Sequence, residues 1–190
     1  MKNNFIIFSF LLLITGLLGA CHNPPKFPIE PNISYKNIVN YHKTIGANGT
    51  TDVRDSIVVI IRFEDGDGDL GLTDADKDPP FNPTGPLVPG GPSVPQGEYF
   101  YNYFIKMFVK RNGQFEEFQF PNAGGLNGRF FPLAPDGRTG PLEGDLNYGF
   151  LVRPSRFFAP GDVVKFEVYI VDKKLHLSNK ITTEETTLFQ

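Results

Sequence analysis

Two long segments of alternating apolar and polar residues constrain the fold of this chain more than any other feature. In residues 142–152 and again in residues 163–172, apolar side chains fall at every second position. A period of two is typical of a β-strand with one buried face. The 3.6-residue period of an amphipathic helix has no clear counterpart after the first 20 residues. We therefore predict an all-β fold.

Further strands are predicted along the rest of the chain. The β-branched run Ser56–Phe63 indicates a strand buried on both faces. Tyr99–Lys110 and Phe115–Phe120 flank Asn112-Gly113, a dipeptide typical of tight hairpin turns. The other predicted strands are 33–39, 129–133 and 181–188. With 20 Gly and 17 Pro for turns, the pattern favours an antiparallel immunoglobulin-like β-sandwich of about seven to eight strands.

The first 21 residues have the pattern of a bacterial lipoprotein signal peptide. Lys2 precedes an uncharged, largely apolar run of 14 residues, Phe5–Leu18, which is shorter than the ~20 residues of a membrane-spanning helix. Leu18-Gly19-Ala20-Cys21 resembles the lipobox, in which the cysteine is acylated, for example with palmitate, after cleavage before it. We predict a cleaved signal peptide over residues 1–20 and lipidation at Cys21. An ordinary signal peptide or an uncleaved anchor is the alternative.

Cys21 is the only cysteine, so its acylation would exclude disulfides from the mature protein. A Pro-rich tether follows over residues 21–32, and residues 33–190 are predicted to form one domain. His22 follows the cysteine, and residues 22–26 contain no acid. By resemblance to other lipoproteins, this predicts the outer membrane, on its periplasmic face rather than the cell surface.

An Asp-rich loop over residues 64–78 follows the Ser56–Phe63 strand. It contains seven carboxylates in 15 residues, with Lys77 as its only positive charge. Converging carboxylates repel one another, and hard oxygen ligands suit Ca²⁺. The candidate ligands are Asp65, Asp67, Asp69, Asp74, Asp76 and Asp78. An EF-hand does not fit, because Leu70 stands where that motif needs Gly. A solvated acidic turn or a site for another cation is the alternative.

Residues 79–97 form a Pro/Gly-rich segment. Prolines recur at every third position, at Pro80, Pro83, Pro86, Pro89, Pro92 and Pro95. A period of three is the repeat of a polyproline II helix. The segment is either a stiff loop between two strands or a recognition arm that docks on an aromatic groove.

Other candidate sites are weaker. Glu143 and Asp145 lie ~7 Å apart along one strand, a spacing compatible with acid/base hydrolysis. Tyr99, Tyr101 and Tyr103 could form a binding stripe for a glycan or peptide. The net charge of −3 indicates no nucleic-acid partner. No sequence motif of a known catalytic class is present, so we expect no enzyme.

The chain resembles uncharacterised Bacteroidota lipoproteins with an immunoglobulin-like domain. The resemblance lies in residues 63–71, with the Asp-Gly-Asp-Gly-Asp run, in residues 140–144 and in Val168-Tyr169-Ile170-Val171-Asp172 through Ser178-Asn179. The last segment is similar to the closing strand of bacterial immunoglobulin-like repeats, Asp-x-x-Gly-Asn-x-Ser, but has Leu175-His176 in place of Gly-Asn. The resemblance implies a fold and a location but no activity.

Together these features predict a lipid-anchored envelope protein with a structural calcium loop that acts as a non-enzymatic binding or accessory module. Its partners would be the membrane, through the lipid, and an envelope protein or glycan. A glycan- or peptide-binding lipoprotein is the first alternative. A hydrolase that uses Glu143 and Asp145 is the second.

Overall fold

The computed structural model describes residues 25–47, 50–121, 125–134 and 137–190. Ten strands lie in this part of the chain: β1 (Asn32–Ala47), β2 (Thr50–Asp65), β3 (Gly85–Pro86), β4 (Ser93–Val94), β5 (Tyr103–Arg111), β6 (Gln114–Glu117), β7 (Leu142–Val152), β8 (Val163–Ile170), β9 (Ile181–Thr182) and β10 (Thr186–Thr187). The described residues contain no helix, which confirms the all-β prediction. None of them therefore provides a helix that could span a membrane.

The strands form two main antiparallel sheets. The first has the order β1-β2-β7. The second has the order β10-β8-β5-β6, and β9 also pairs with β8. Aromatic rings join the sheets across the core, where Tyr103 stacks on Tyr148 at 4.2 Å and Phe150 meets Phe166 at 5.2 Å between centroids. This arrangement is consistent with a β-sandwich.

The predicted faces of β7 and β8 are confirmed. Alternate residues of β8 from Val164 to Ile170 are fully buried, and the polar residues of β7 at positions 143, 145 and 147 are exposed. The prediction of burial on both faces was wrong for β2. Ile57, Val59 and Ile61 are fully buried, whereas Val58 and Ile60 are only half-buried. The second sheet covers only one face of β2. The β-branched run of β2 therefore does not indicate a strand that is covered on both faces.

The tight hairpin between β5 and β6 is confirmed. Arg111 pairs with Gln114 across the turn. Asn112 and Gly113 both have positive φ, at 52° and 83°, as a type I′ turn requires.

Residues 129–133 were predicted as a strand but form none. Their backbone groups bond to loops instead, because the Phe130 carbonyl accepts from Leu72 N and Leu133 N donates to the Leu70 carbonyl, both at 3.0 Å. This segment therefore supports the Asp-rich loop rather than a sheet. The predicted strand over residues 181–188 is interrupted and becomes β9 and β10, which pair with different parts of β8.

The proline segment does not extend as a polyproline II helix. β3 and β4 pair with each other, and the chain reverses at Val88, whose carbonyl accepts from Gly91 N at 3.0 Å. The amide of Asn82 donates to the Pro95 carbonyl at 2.9 Å and joins the two ends of the hairpin. Glycines within the segment permit this reversal, which a continuous polyproline II helix would not allow.

Candidate metal centre

Four aspartates from two distant parts of the chain meet at one end of the sandwich. Asp65 is the last residue of β2, Asp67 and Asp69 follow it, and Asp172 lies two residues after β8. One carboxylate oxygen from each lies within 4.8 Å of the others. Asp65 and Asp172 are buried, whereas Asp67 and Asp69 are partly accessible. These four residues, the Asp cluster, are close enough to hold a metal ion.

Backbone hydrogen bonds hold the Asp-rich loop in place. The carbonyl of Asp67 accepts from Gly140 N at 3.0 Å, and the carbonyl of Asp69 accepts from Lys173 N at 3.3 Å. Leu70 is buried directly after the last acid of the run. The loop is thus fixed to the core and to the turn that carries Asp172, so its carboxylates cannot separate freely.

Glycine is required at position 68 of this loop. Gly68 has φ of 74°, and a Cβ there would lie 2.4 Å from the carbonyl oxygen of Gly140. Its amide donates to Oδ2 of Asp65 at 2.8 Å. The left-handed backbone therefore turns the loop so that acids on both sides of the glycine approach one another.

Several oxygens in the Asp cluster are buried without a hydrogen-bond donor. They are Oδ1 of Asp65, Oδ1 of Asp67 and both oxygens of Asp69. Asp65 is 0% exposed, so its carboxylate lies out of reach of bulk solvent. A buried charged group without its partners is strongly unfavourable. A cation is the chemical species that would satisfy these oxygens together.

The electrostatics of the cluster show the same excess of negative charge. Burial, together with the nearby charge of Asp67, raises the pKa of Asp65 to about 6. Burial and the charges of Asp172 and Asp67 also raise the pKa of Asp69. Both shifts mean that an additional positive charge would stabilise the ionised cluster.

Two basic side chains partly compensate the cluster. Nζ of Lys174 lies 2.5 Å from Oδ2 of Asp67 and 3.3 Å from Oδ2 of Asp69, the second contact lacking hydrogen-bond geometry. Burial opposes ionisation of Asp67, but Lys174 outweighs it and lowers the Asp67 pKa. Nδ1 of His176 lies 2.7 Å from Oδ2 of Asp172, and this hydrogen bond raises the pKa of His176. His176 thereby orients Asp172 from outside the cluster.

The structure places the other predicted ligands outside the Asp cluster. Oδ2 of Asp76 accepts from the amide and hydroxyl of Thr73, both at 2.7 Å, and its Oδ1 pairs with Lys173 at 2.7 Å. Burial opposes ionisation, but these partners lower the pKa of Asp76 to about 2. Asp74 and Asp78 are exposed. Asp76 thus acts as a local turn cap in this structure.

Asp172 and Arg129 are among the residues of the site that the sequence did not identify. Asp172 ends the predicted strand 163–172, so an acid at a strand end was the signal that could have identified it. Arg129 has no such signal, because its partners are backbone carbonyls from separate segments. Its guanidinium donates to the carbonyls of Thr73 at 2.7 Å, Asp76 at 2.8 Å and Phe100 at 3.0 Å. Arg129 thereby fixes the second half of the Asp-rich loop.

The three predicted tyrosines do not form an exposed stripe. Tyr103 is fully buried, and its hydroxyl has no hydrogen-bond partner. Tyr99 and Tyr101 precede β5, and their rings contact Phe104 and Phe100 edge-on. The strand alternation does not extend back to these two residues, because β5 begins only at Tyr103.

The acids proposed for hydrolysis are both engaged in ion pairs on the outer face of β7. Glu143 pairs with Arg62 and Asp145 pairs with Lys36. Cys21, the predicted lipidation site, lies outside the described residues.

Comparison of the chain with protein-family models, with curated proteins and with solved structures finds no match.

Proposed function

We propose that this protein is a calcium-binding, lipid-anchored protein of the cell envelope that acts as a non-enzymatic binding or accessory module. The Asp cluster carries this proposal. Its decisive feature is the fully buried Asp65, whose Oδ1 has no donor and whose carboxylate has an oxygen within 4.8 Å of an oxygen from each of three further aspartates. The sheet arrangement supports an immunoglobulin-like sandwich as its framework, with the cluster at one end.

Calcium suits the cluster better than other common ions. All four side chains that approach one another are carboxylates, whereas zinc and copper sites in proteins draw on His or Cys. Ca²⁺ takes six to eight oxygens in flexible geometry, and Mg²⁺ requires a near-ideal octahedron and retains water. Neither oxygen of Asp69 has a hydrogen-bond donor, and a carboxylate that can ligate through both oxygens favours the larger ion.

The ion would have a structural role. Asp65 belongs to the first sheet, and Asp172 follows a strand of the second. An ion shared by them would link the two sheets at one end of the core. The mature chain is predicted to lack disulfides, so such a link would be its strongest local cross-connection.

Calorimetric titration of the protein in detergent with CaCl₂ tests this proposal. We expect binding heat and a higher melting temperature with wild type, and loss of both in the double variant Asp67→Asn/Asp69→Asn. The matched control is Asp74→Asn/Asp78→Asn, which removes the same charge from exposed positions of the same loop. Absence of heat from wild type at millimolar calcium, or equal loss in both variants, would contradict a calcium site at the cluster.

The lipid anchor is proposed from the lipobox pattern at Cys21. Metabolic labelling with a palmitate analogue should mark wild type but not Cys21→Ala. Outer-membrane fractionation and protease treatment of intact cells then test the proposed periplasmic face. Labelling of Cys21→Ala would contradict a lipid anchor at Cys21. Digestion of the protein by protease added to intact cells would contradict the periplasmic face.

One observation favours glycan or peptide binding as a second candidate function. On the outer face of the second sheet, Phe104 stacks on Tyr169 at 4.7 Å with an interplanar angle of 4°. These rings border a cavity of about 320 Å³, also lined by Lys106, Glu117 and Gln119. Aromatic rings beside polar side chains are typical of such sites. Glycan-array binding that is lost in Phe104→Ala/Tyr169→Ala would support this function, and an array without signal would oppose glycan binding.

A further inference from the structure

Lys174 lies where it competes with a metal ion for the Asp cluster. Its Nζ is 2.5 Å from Asp67 and 3.3 Å from Asp69, two of the four residues that could ligate the ion. The ammonium group therefore already provides part of the positive charge that the carboxylates need. A cation bound by the same oxygens would have to share them with Lys174 or displace it.

The Lys174 side chain can leave without disturbing the core. It is 58% exposed, whereas the Asp67 and Asp69 side chains are 22% and 19% exposed. It stands in a turn in which the backbone amides of the residues on either side, Lys173 and Leu175, are hydrogen-bonded. A flexible four-carbon stem can carry its ammonium into water at small cost.

Lys173, the preceding residue, points to a different acid. Its Nζ lies 2.7 Å from Oδ1 of Asp76, outside the Asp cluster. The same turn thus supplies two lysines of similar exposure, and one alone pairs with the cluster. A comparison of the two lysines can therefore distinguish direct competition for the carboxylates from a general electrostatic effect of positive charge near the site.

We propose that Lys174 is an intramolecular competitor of the metal, pairing with Asp67 and Asp69 until the ion displaces it. This inference rests on the proposed calcium site and adds its regulation. Lys174 keeps the acidic loop assembled before the ion binds, and its displacement sets the calcium concentration at which the site fills. Displacement also releases a positive side chain to the surface at the end of the sandwich.

Lysine acetylation followed by mass spectrometry tests this in the unmodified protein. In saturating CaCl₂, the reactivity of Lys174 should rise severalfold relative to its value in chelator, while Lys180 stays unchanged because its acid partner, Glu167, lies outside the cluster. Unchanged Lys174 reactivity, with calorimetry showing calcium bound, would overturn the inference and leave the calcium site standing.

Variants of the two neighbouring lysines provide a second test. Lys174→Met should bind calcium about three- to tenfold more tightly than wild type, because the competing state is removed. Lys173→Met, the matched control, should change the affinity less than twofold. An equal change of calcium affinity in both variants would indicate a general electrostatic effect of the nearby positive charges and would overturn the inference.

Thermal unfolding distinguishes competition from a folding defect. Lys174→Met should melt below wild type in chelator but at or above it in calcium. A lower melting temperature in both conditions, together with wild-type affinity, would overturn the inference. If neither wild type nor Lys174→Met binds calcium, the proposed calcium site itself fails, and the inference fails with it.

Discussion

The backbone amide of Phe189 donates a hydrogen bond of 2.7 Å to Oδ2 of Asp55 and so joins the end of the chain to the middle of β2. Asp55 is fully buried. Its other donors are the amide of Asn40, at 2.7 Å, and Nδ1 of His42, at 2.8 Å. One carboxylate thus connects β1, β2 and the C-terminal residues.

Asp55→Asn should lower the free energy of unfolding by about 2–4 kcal/mol, because the new amide group faces donors and leaves them unpaired in the core. Urea denaturation measures the change. Asp52→Asn is the control, since the Asp52 side chain is partly exposed on the same strand and pairs with Arg54 and Arg153. We expect that variant to lose less than about 1 kcal/mol. Equal losses would show that the Asp55 network has no special role.

Asp162 should make the stability of the protein depend on pH. Arg111 donates to both its carboxylate oxygens, at 2.6 Å and 3.2 Å, and Ala159 N donates to Oδ2 at 2.9 Å. Burial opposes ionisation, but these donors outweigh it and lower the pKa of Asp162 in the folded state. Its stabilisation is therefore complete above the unfolded-state pKa and disappears as pH falls through the lower folded-state pKa.

We expect Asp162→Asn to destabilise the protein by about 1–2 kcal/mol at neutral pH. The difference from wild type should shrink steadily in acid, and urea unfolding across the acid range measures it. Glu185→Gln is the control, because its pair with Lys110 is solvent-exposed. A pH-independent difference for Asp162→Asn would mean that the lost contact is not electrostatic.

Gly68→Ala should disrupt the Asp-rich loop. The added Cβ would lie 2.4 Å from the Gly140 carbonyl oxygen, in addition to the strain of a positive φ. We expect a loss of about 3 kcal/mol in stability and weaker calcium binding, measured by urea unfolding and calorimetry. Gly113→Ala separates the two causes, because its φ is 83° and a Cβ would meet nothing within 4 Å. An equal loss in that control would exclude the contact with Gly140 as the cause.

Arg129→Lys should loosen the second half of the Asp-rich loop while preserving the charge. The guanidinium reaches the carbonyls of Thr73, Asp76 and Phe100 from two separate nitrogens, whereas the N–H groups of a lysine all lie on one nitrogen and cannot reproduce this fork. We expect a loss of about 2–4 kcal/mol in urea unfolding. Residues 73–81 should also exchange their amide hydrogens faster. Arg153→Lys, at an exposed site, is the control, and unchanged exchange in Arg129→Lys would contradict this role.

Local patterns predicted much of the fold because they depend on neighbours in the chain. Alternation placed the buried faces of β7 and β8, and Asn112-Gly113 located a tight turn, since both reflect backbone preferences over a few residues. The β-branched run in β2 was misleading, because burial on the second face depends on what packs there. The proline repeat did not produce a polyproline II helix, because its glycines and the bonds of Asn82 favour a hairpin, whereas the alternative, a loop between two strands, fits the segment between β2 and β5.

For the candidate site, the run of alternating Asp and Gly was enough to predict that Asp65, Asp67 and Asp69 stand close together after a strand, with glycines that allow them to converge. The folded chain was needed to show that Asp172 joins them, that Asp76 turns to Thr73, and that Lys174 pairs with the cluster. This difference follows from the distance along the chain. Carboxylates within one loop meet through local turns, whereas Asp172 and Lys174, more than a hundred residues away, reach the loop only when the two sheets pack together.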